Sequence, residues 1–305
     1  MPAPEAPEEA PYTGRFAPSP TGPLHFGSLM AAVASYLDAR VNGGRWLVRI
    51  EDIDPPRSQP GADTEILRML EAYRFEWDGP VIYQSTSADE HLDALHTLER
   101  AGLTYRCDCS RRDLVDAPQS SLGAIYPGTC RTRNVEGDAA IRVRTRNDVI
   151  QFDDRLQGLV QHRLESESGD FIILRRDGLI AYQLAVVVDD WLQSVTHIVR
   201  GIDLMDSTPR QIHLQGCLGA PVPSYAHIPV AIHADGAKLS KATGAAPISG
   251  ETAEQTLVAA LSALQQQPPD DLATCGLDAV WSWAQENWAI ERMIGLQNIA
   301  VQHYC

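Results

Sequence analysis

Lys238 and Lys241, in the stretch DGAKLSKATGAA, are the only lysines in a chain whose lysines and arginines together number 25. A composition that favours arginine this strongly leaves lysine where a compact ammonium on a flexible stem is needed. Such a group suits moving phosphates, whereas the flat guanidinium fork suits carboxylates. The alternative is that two lysines survive in a Gly/Ala loop by chance. A second candidate is PSPTGPLHFGS, in which His25-x-Gly27 opens a helical pattern. Backbone N–H groups and the positive dipole end would there face a bound phosphate, with His25 as an added donor and Gly27 allowing close approach. An ordinary turn is the competing meaning. Glu51, first of Glu-Asp-Ile-Asp after an apolar run, is either a strand-ending turn acid or a ligand for an ammonium or metal. Arg200, ending THIVRG, is placed to clamp a carboxylate bidentately or to pair with Asp203.

Cys107-x-Cys109 and Cys130 lie close together, while Cys217, Cys275 and Cys305 are scattered. Without a secretory signal this grouping points to a metal more than to disulfides. Structural zinc takes four ligands, however, commonly with Cys-x-x-Cys spacing, and a fourth cysteine is absent from this cluster. Tyr126 stands four residues before Cys130.

The elements that must hold these groups are legible in outline. TGRFAP reads as a strand and SPTGPLHFGS as a Pro/Gly loop. LMAAVASYLDARV then reads as a helix ended by Asn42, Gly43 and Gly44, and RWLVRI as a buried strand. Strand, glycine loop, helix and strand make a βαβ unit with a parallel sheet. Helical patterns return at DTEILRMLEAYR and SADEHLDALHTLERAG, and strands at AAIRVRT, DFIILRR and THIVRG. The alternation predicts a doubly wound α/β core. Its halves cover 12–104 and 136–245, around a loop-rich insertion at 105–135, with a Pro/Ala/Glu-rich disordered tail at 1–11 and a helical region at 246–305.

Apolar residues at 44% supply ample core, and no stretch reaches the eighteen or so apolar residues that cross a bilayer. The expectation is a soluble, cytoplasmic, monomeric protein with no membrane partner. A net charge of −15 argues against indiscriminate coating of nucleic acid, although arginines gather from Arg106 to Arg146 as a candidate patch, with Arg131 and Arg133 within it.

Taken in order, Arg15-Phe-Ala-Pro-Ser-Pro-Thr-Gly, His25-Phe-Gly-Ser, Glu51-Asp-Ile-Asp, Val199-Arg-Gly-Ile-Asp and Lys238-Leu-Ser-Lys-Ala resemble the catalytic core of class I glutamyl-tRNA synthetases over roughly 12–245. Within that family the likeness is greatest to the truncated branch, the glutamyl-Q tRNA(Asp) synthetases. The resemblance implies a Rossmann-type class I synthetase fold with a small zinc-binding insertion held by Cys107, Cys109, Tyr126 and Cys130. With only about sixty residues after the lysine loop, it also implies no anticodon-binding domain. It further implies that ATP, with Mg²⁺, meets His25, Gly27 and Lys241, with Lys238 in support. Glutamate would lie against Arg15, Ala17, Ser19, Glu51, Tyr182 and Arg200, with Glu51 opposing the ammonium and the arginines holding carboxylates. A guanidinium facing the side chain would reject glutamine. The implied reaction is glutamate activation without tRNA, then transfer to queuosine in the anticodon of tRNA(Asp). Two positions depart from the family's signatures: Ser28 stands where a second histidine is usual, and Ala242 where serine is usual.

Rival readings are an ordinary glutamyl-tRNA synthetase charging the tRNA 3′ end, a nucleotidyltransferase of the same fold, and a catalytically inactive tRNA-binding paralogue. The lysine argument yields a direct test. Lys241→Arg keeps the charge but widens the head group, and is expected to slow adenylate formation at least about tenfold, or about 1.4 kcal/mol. Lys238→Arg should cost less. Pyrophosphate exchange measures both, and equal near-wild-type rates would return the two lysines to chance.

Overall fold

The structure is a computed structural model, and it describes residues 11–233, 239 and 246–301. The expected tail, apart from Pro11, and both Lys238 and Lys241 lie outside the described residues.

Strand β1 (Thr13–Phe16), helix α1 (Phe26–Val41) and strand β2 (Arg45–Ile50) form the expected unit, with β1 and β2 parallel and Arg15 opposite Leu47. Helix α2 (Ala62–Ala72) leads to β3 (Ile82–Tyr83), which adds to β2 in parallel. Helix α1 begins at His25, whose backbone is extended and whose Nδ1 accepts the Ser28 N–H at 3.2 Å. A histidine thus does the capping work that Ser, Thr, Asp or Asn usually do. Asn42 closes the helix, as its sequence suggests.

Helix α3 (Ala88–Arg100) is followed by β4 (Thr104–Cys107), the short hairpin β5 (Gln119–Ser120) and β6 (Gly123–Ala124), and β7 (Ala140–Val143). Then come β8 (Val149–Asp154), β9 (Gly158–Arg163), the single turn α4 (Leu164–Glu167), β10 (Ile172–Leu174), α5 (Tyr182–Leu192), β11 (His197–Gly201), α6 (Thr208–Leu218) and β12 (Ser224–Ile228). Strand β12 is parallel to β11 and meets β8 at Tyr225 opposite Asp154. The two parallel sets are joined where the Thr196 N–H donates to the Thr13 carbonyl at 2.9 Å and the Thr13 N–H donates to Thr196 Oγ1 at 2.9 Å. Strand order therefore reverses direction between β1 and β11, the crevice where open α/β sheets bind ligands.

Two expectations change. The strands read at AAIRVRT and DFIILRR do not extend the parallel core, because β7 pairs antiparallel with β4 and β10 in a separate sheet. Strands β4 and β7 are joined by the irregular insertion rather than by a crossover helix, so they return antiparallel. The 246–305 region holds the expected helices α7 (Ala253–Ala263) and α8 (Leu277–Asn287), but ends in β14 (Asn298–Ala300), parallel to β13 (Val230–Ile232).

That last region shares the core of the first half. Trp281 of α8 lies 4.9 Å from Tyr36 and 5.0 Å from Phe75, between ring centroids, and its Nε1–H donates to the Tyr73 carbonyl at 2.8 Å. Trp46 completes the aromatic group, 5.1 Å from Tyr36 and 5.4 Å from Phe75. Helices α7 and α8 thus cover α1, the helix that carries the His25 turn.

Candidate active site

A cavity of about 610 Å³ opens at the carboxyl ends of β1 and β11. It is lined by Arg15 in β1, by Ala17 and Ser19 after it, by His25 and Gly27 at the start of α1, by Glu51 after β2, by Tyr182 at the start of α5, and by Arg200 in β11. Every described residue of the expected nucleotide and amino-acid set therefore faces one space. Leu239, the one described residue between the two lysines, also lines it; its N–H donates to the Ala231 carbonyl at 2.8 Å. A Cβ on Gly27 would lie 3.2 Å from His25 Cε1 and 3.6 Å from the Leu239 carbonyl oxygen, so glycine lets the turn and that segment approach each other. Because His25 Nδ1 accepts from Ser28, the neutral ring carries its proton on Nε2, the right tautomer for donating to a phosphate.

Beneath the cavity lies a buried charge network. Arg15 Nε donates to Asp190 at 3.1 Å, and Arg49 Nη2 reaches Asp190 at 2.8 Å and Glu51 at 3.5 Å. Asp189, 3.9 Å from Arg49, is also bound by His91 at 2.8 Å and by Gln84 at 2.6 Å. Burial alone would raise the Asp190 carboxyl, but Arg15 and Arg49 outweigh it and hold it below the usual carboxylate range. Glu51 goes the other way: burial raises it more than Arg49 and Arg15 lower it. Two guanidiniums face three carboxylates, and Glu51 is the acid left for a ligand's positive charge. The other acids of its motif face elsewhere, Asp52 accepting from the Ser85 N–H and Oγ, and Asp54 pairing with Arg57 and Arg175. No metal-ligand group forms at Glu51 among the described residues.

Arg200 is partnered differently from Arg15. Its Nε donates to His227 Nε2 at 3.1 Å, and its Nη2 to Thr208 Oγ1 at 2.8 Å and Gln211 Oε1 at 2.9 Å. These acceptors are neutral, and no ion pair joins Arg200 to Asp203 among the described residues. Its Nη1 is buried without a partner among them. A buried guanidinium nitrogen left this way calls for an acceptor from outside.

Away from the cavity, the Sγ atoms of Cys107, Cys109 and Cys130 all lie within 4.8 Å of one another. Tyr126 Oη stands 3.4 Å from Cys107 Sγ and 3.5 Å from Cys109 Sγ, and accepts the Cys130 N–H at 2.9 Å. Zinc–sulfur bonds of about 2.3 Å in a tetrahedron put sulfurs roughly 3.8 Å apart, close to the 3.5 Å seen between Cys109 and Cys130. Burial, and then the neighbouring sulfurs, push the Cys109 thiol up to about 11, a crowding that a cation would relieve. Gly169, at φ +68° just after α4, lets the Tyr126 backbone run alongside it, since a Cβ there would lie 2.4 Å from the Tyr126 nitrogen. Three sulfurs and a phenol oxygen thus fit a closed four-ligand metal site.

The arginine patch is largely spoken for. Arg131 binds Asp170 and Glu165 and the Thr145 carbonyl, Arg133 pairs with Asp108, and Arg142 lies 3.9 Å over the Tyr126 ring. Arg131 is therefore a strut between the insertion and the antiparallel sheet rather than an open phosphate contact, which corrects the sequence expectation for that residue. Sequence reasoning also missed Arg49, Asp189, Asp190 and His227. The one visible signal was a pair of acids inside the apolar helix YQLAVVVDDWL.

A reversal of strand order with an anion-ready helix turn at one edge and Leu239 against the same cavity defines a class I aminoacyl-tRNA synthetase catalytic core. The sequence profile for "tRNA synthetases class I (E and Q), catalytic domain" matches residues 12–255. The glutamyl-Q tRNA(Asp) synthetase of Dechloromonas aromatica is 53% identical over 287 residues, covering 92% of this chain and 95% of that relative. That of Pseudomonas aeruginosa is 51% identical over 283 residues, again covering 92% and 95%. Among solved structures, glutamate-tRNA synthetase from Elizabethkingia anophelis superposes with a TM-score of 0.80 at 22% identity, over 96% of this chain and 68% of that one. The chain belongs to the glutamyl-Q tRNA(Asp) synthetase family, and it is an aminoacyl-tRNA synthetase-type ligase. No helix among the described residues is long and apolar enough to cross a membrane.

The network predicts its own sensitivity. Arg49→Met would leave Glu51, Asp189 and Asp190 without their shared cation, and should cost about 3–5 kcal/mol in urea unfolding. Asp154, Asp170 and Asp190 all sit below the ordinary carboxylate range, so the stability they add is complete above the unfolded value near 4 and is lost as pH falls below it. Denaturation midpoints measured across that range should fall on the acid side.

Proposed function

We propose that the chain activates glutamate with ATP to glutamyl-adenylate and transfers the glutamyl group to queuosine in the anticodon of tRNA(Asp). The observation that carries the amino-acid assignment is the charge pattern of the cavity. Arg200 keeps a buried Nη1, without a partner among the described residues, for a carboxylate, and Glu51 is the surplus acid for an ammonium. Arg15, Ala17, Ser19 and Tyr182 complete the wall around the amino acid. The names of relatives about half identical over nearly the whole chain support glutamate, queuosine and tRNA(Asp).

In the first step an oxygen of the α-carboxylate forms a bond to the α-phosphorus of ATP, and the bond from that phosphorus to the bridging oxygen breaks, releasing pyrophosphate. The protein supplies position and positive field rather than a nucleophile. His25 Nε2–H, the start of α1 and, from the lysine loop, Lys241 with Lys238 serve the phosphates, with Gly27 admitting the nucleotide. Mg²⁺ would arrive with ATP. In the second step a hydroxyl of the queuosine cyclopentenediol attacks the acyl carbon and AMP leaves.

The insertion has a separate role, in which Cys107, Cys109, Tyr126 and Cys130 hold one zinc ion. With all four positions filled by protein, the metal stabilises its loop and does no chemistry. Metal analysis of protein purified without chelator should find about one zinc per chain, and Cys109→Ser should lower both metal content and the stability of the insertion. Protein devoid of zinc would defeat this assignment.

Labelled glutamate and ATP supplied with queuosine-containing or queuosine-free tRNA test the reaction. Exchange of pyrophosphate should occur with glutamate alone, and label should map to the anticodon only when queuosine is present. Label on the terminal adenosine irrespective of queuosine would restore the ordinary synthetase, and exchange that needs tRNA would reject activation by the core alone.

A further inference from the structure

We infer that Asp154 and His227 are positioning residues that lock the Arg200 guanidinium as the carboxylate clamp of the cavity. The inference rests on the amino-acid reading above and adds the part of the site that sets the clamp's direction.

Three neighbouring strands place the groups in a row. Arg200 of β11 lies directly opposite His227 of β12, and β12 meets β8 where Asp154 stands. Asp154 Oδ2 is 2.6 Å from His227 Nδ1, and both side chains are fully shielded from solvent. An ionised carboxylate only accepts, so Nδ1 carries the ring proton and Nε2 presents a lone pair. That lone pair accepts the Arg200 Nε–H at 3.1 Å. The opposite tautomer would set an Nε2–H against the Arg200 Nε–H, two donors face to face in a buried space.

The carboxylate that imposes this choice is itself held. Asp154 Oδ1 accepts the N–H groups of Leu156 and Gln157, both at 3.0 Å, and of His227 at 3.2 Å. Burial lowers the His227 ring more than Asp154 raises it, in keeping with a neutral imidazole. The Tyr225 ring lies parallel to His227 within 9° and 5.4 Å from the Arg200 guanidinium carbon, so the fork cannot tilt out of line on that side.

Counting donors gives the consequence. A guanidinium has five N–H groups. His227 takes the one on Nε, and Thr208 with Gln211 take the two on Nη2. The two on Nη1 remain, and Nη1 is the buried nitrogen without a partner among the described residues. Because every acceptor of Arg200 among the described residues is neutral, the clamp also keeps its full charge for the ligand. Arg15, tied to Asp190, does not. Without His227 the fork could rotate to satisfy Nη1 within the protein, and the amino acid would lose its prepared partner.

The test separates positioning from folding. His227→Asn retains a short amide towards Asp154 but withdraws the acceptor from Arg200, whereas His227→Gln can put an amide oxygen near the place of Nε2. In pyrophosphate exchange, His227→Asn should raise the KM for glutamate about tenfold or more and leave that for ATP within about twofold, with His227→Gln within about threefold of wild type. Asp154→Asn, which frees the other tautomer, should act like His227→Asn. Nitrogen-15 NMR of the wild-type chain should find His227 protonated on Nδ1 and bare on Nε2. A folded His227→Asn protein, judged by its melting curve, with an unchanged KM for glutamate would overturn the inference, as would an Nε2-protonated ring. If wild-type protein activates no glutamate, the functional reading fails, while the NMR result still decides the tautomer lock.

Discussion

The arrangement around Asp190 is the constraint on which the rest of the site depends. This carboxylate is shared by Arg15 on β1 and Arg49 on β2, and it belongs to α5, so one buried group ties two strands to that helix. Buried charges stay in a fold only when paired and hydrogen-bonded. None of these residues can therefore move independently, and the loop after β1, the end of β2 and the first turn of α5 are held in one geometry. Tyr182, Glu51 and Ser19 inherit their places from that bond.

The same network distributes charge. Arg49 satisfies Asp190 and contributes to Asp189, leaving Glu51 the least compensated acid, with burial raising its carboxyl. On the other side of the cavity the protein surrounds Arg200 with neutral acceptors. One wall is thus short of positive charge and the other keeps a surplus, the complement of an amino acid with a carboxylate and an ammonium. Water would blur such a separation, and burial preserves it.

Packing connects this site to regions that read as peripheral. Helices α7 and α8 belong to the same core as α1, and β14 pairs with β13, just before the segment carrying Leu239. Through that pairing the last described strand flanks β13, whose Val230 and Ala231 line the cavity. The cysteine-bearing insertion, by contrast, has its own small core of Cys107, Tyr126, Cys130 and Val135, braced by Arg131 against Asp170. A loop with so little apolar surface to bury would gain order from a shared ion held by its three sulfurs.

The amino-acid sequence by itself determined the βαβ unit, the helix turn at His25, the placement of Glu51 and Arg200 at strand ends, and the gathering of Cys107, Cys109 and Cys130. Each is a local pattern, written in the periodicity of apolar residues or in the spacing of special ones. Only the tertiary structure decided which acids answer which arginines, and it did so between residues 141 to 175 positions apart, as in Arg49 to Asp190 and Arg15 to Asp190. It also turned β7 and β10 into a separate antiparallel sheet, made Arg131 a half-buried strut, and set His227 beside Arg200. Hydrophobic periodicity records which face of an element is buried but not what lies against it. Partner choice in a low-dielectric interior depends on distances that exist only once the strands are side by side.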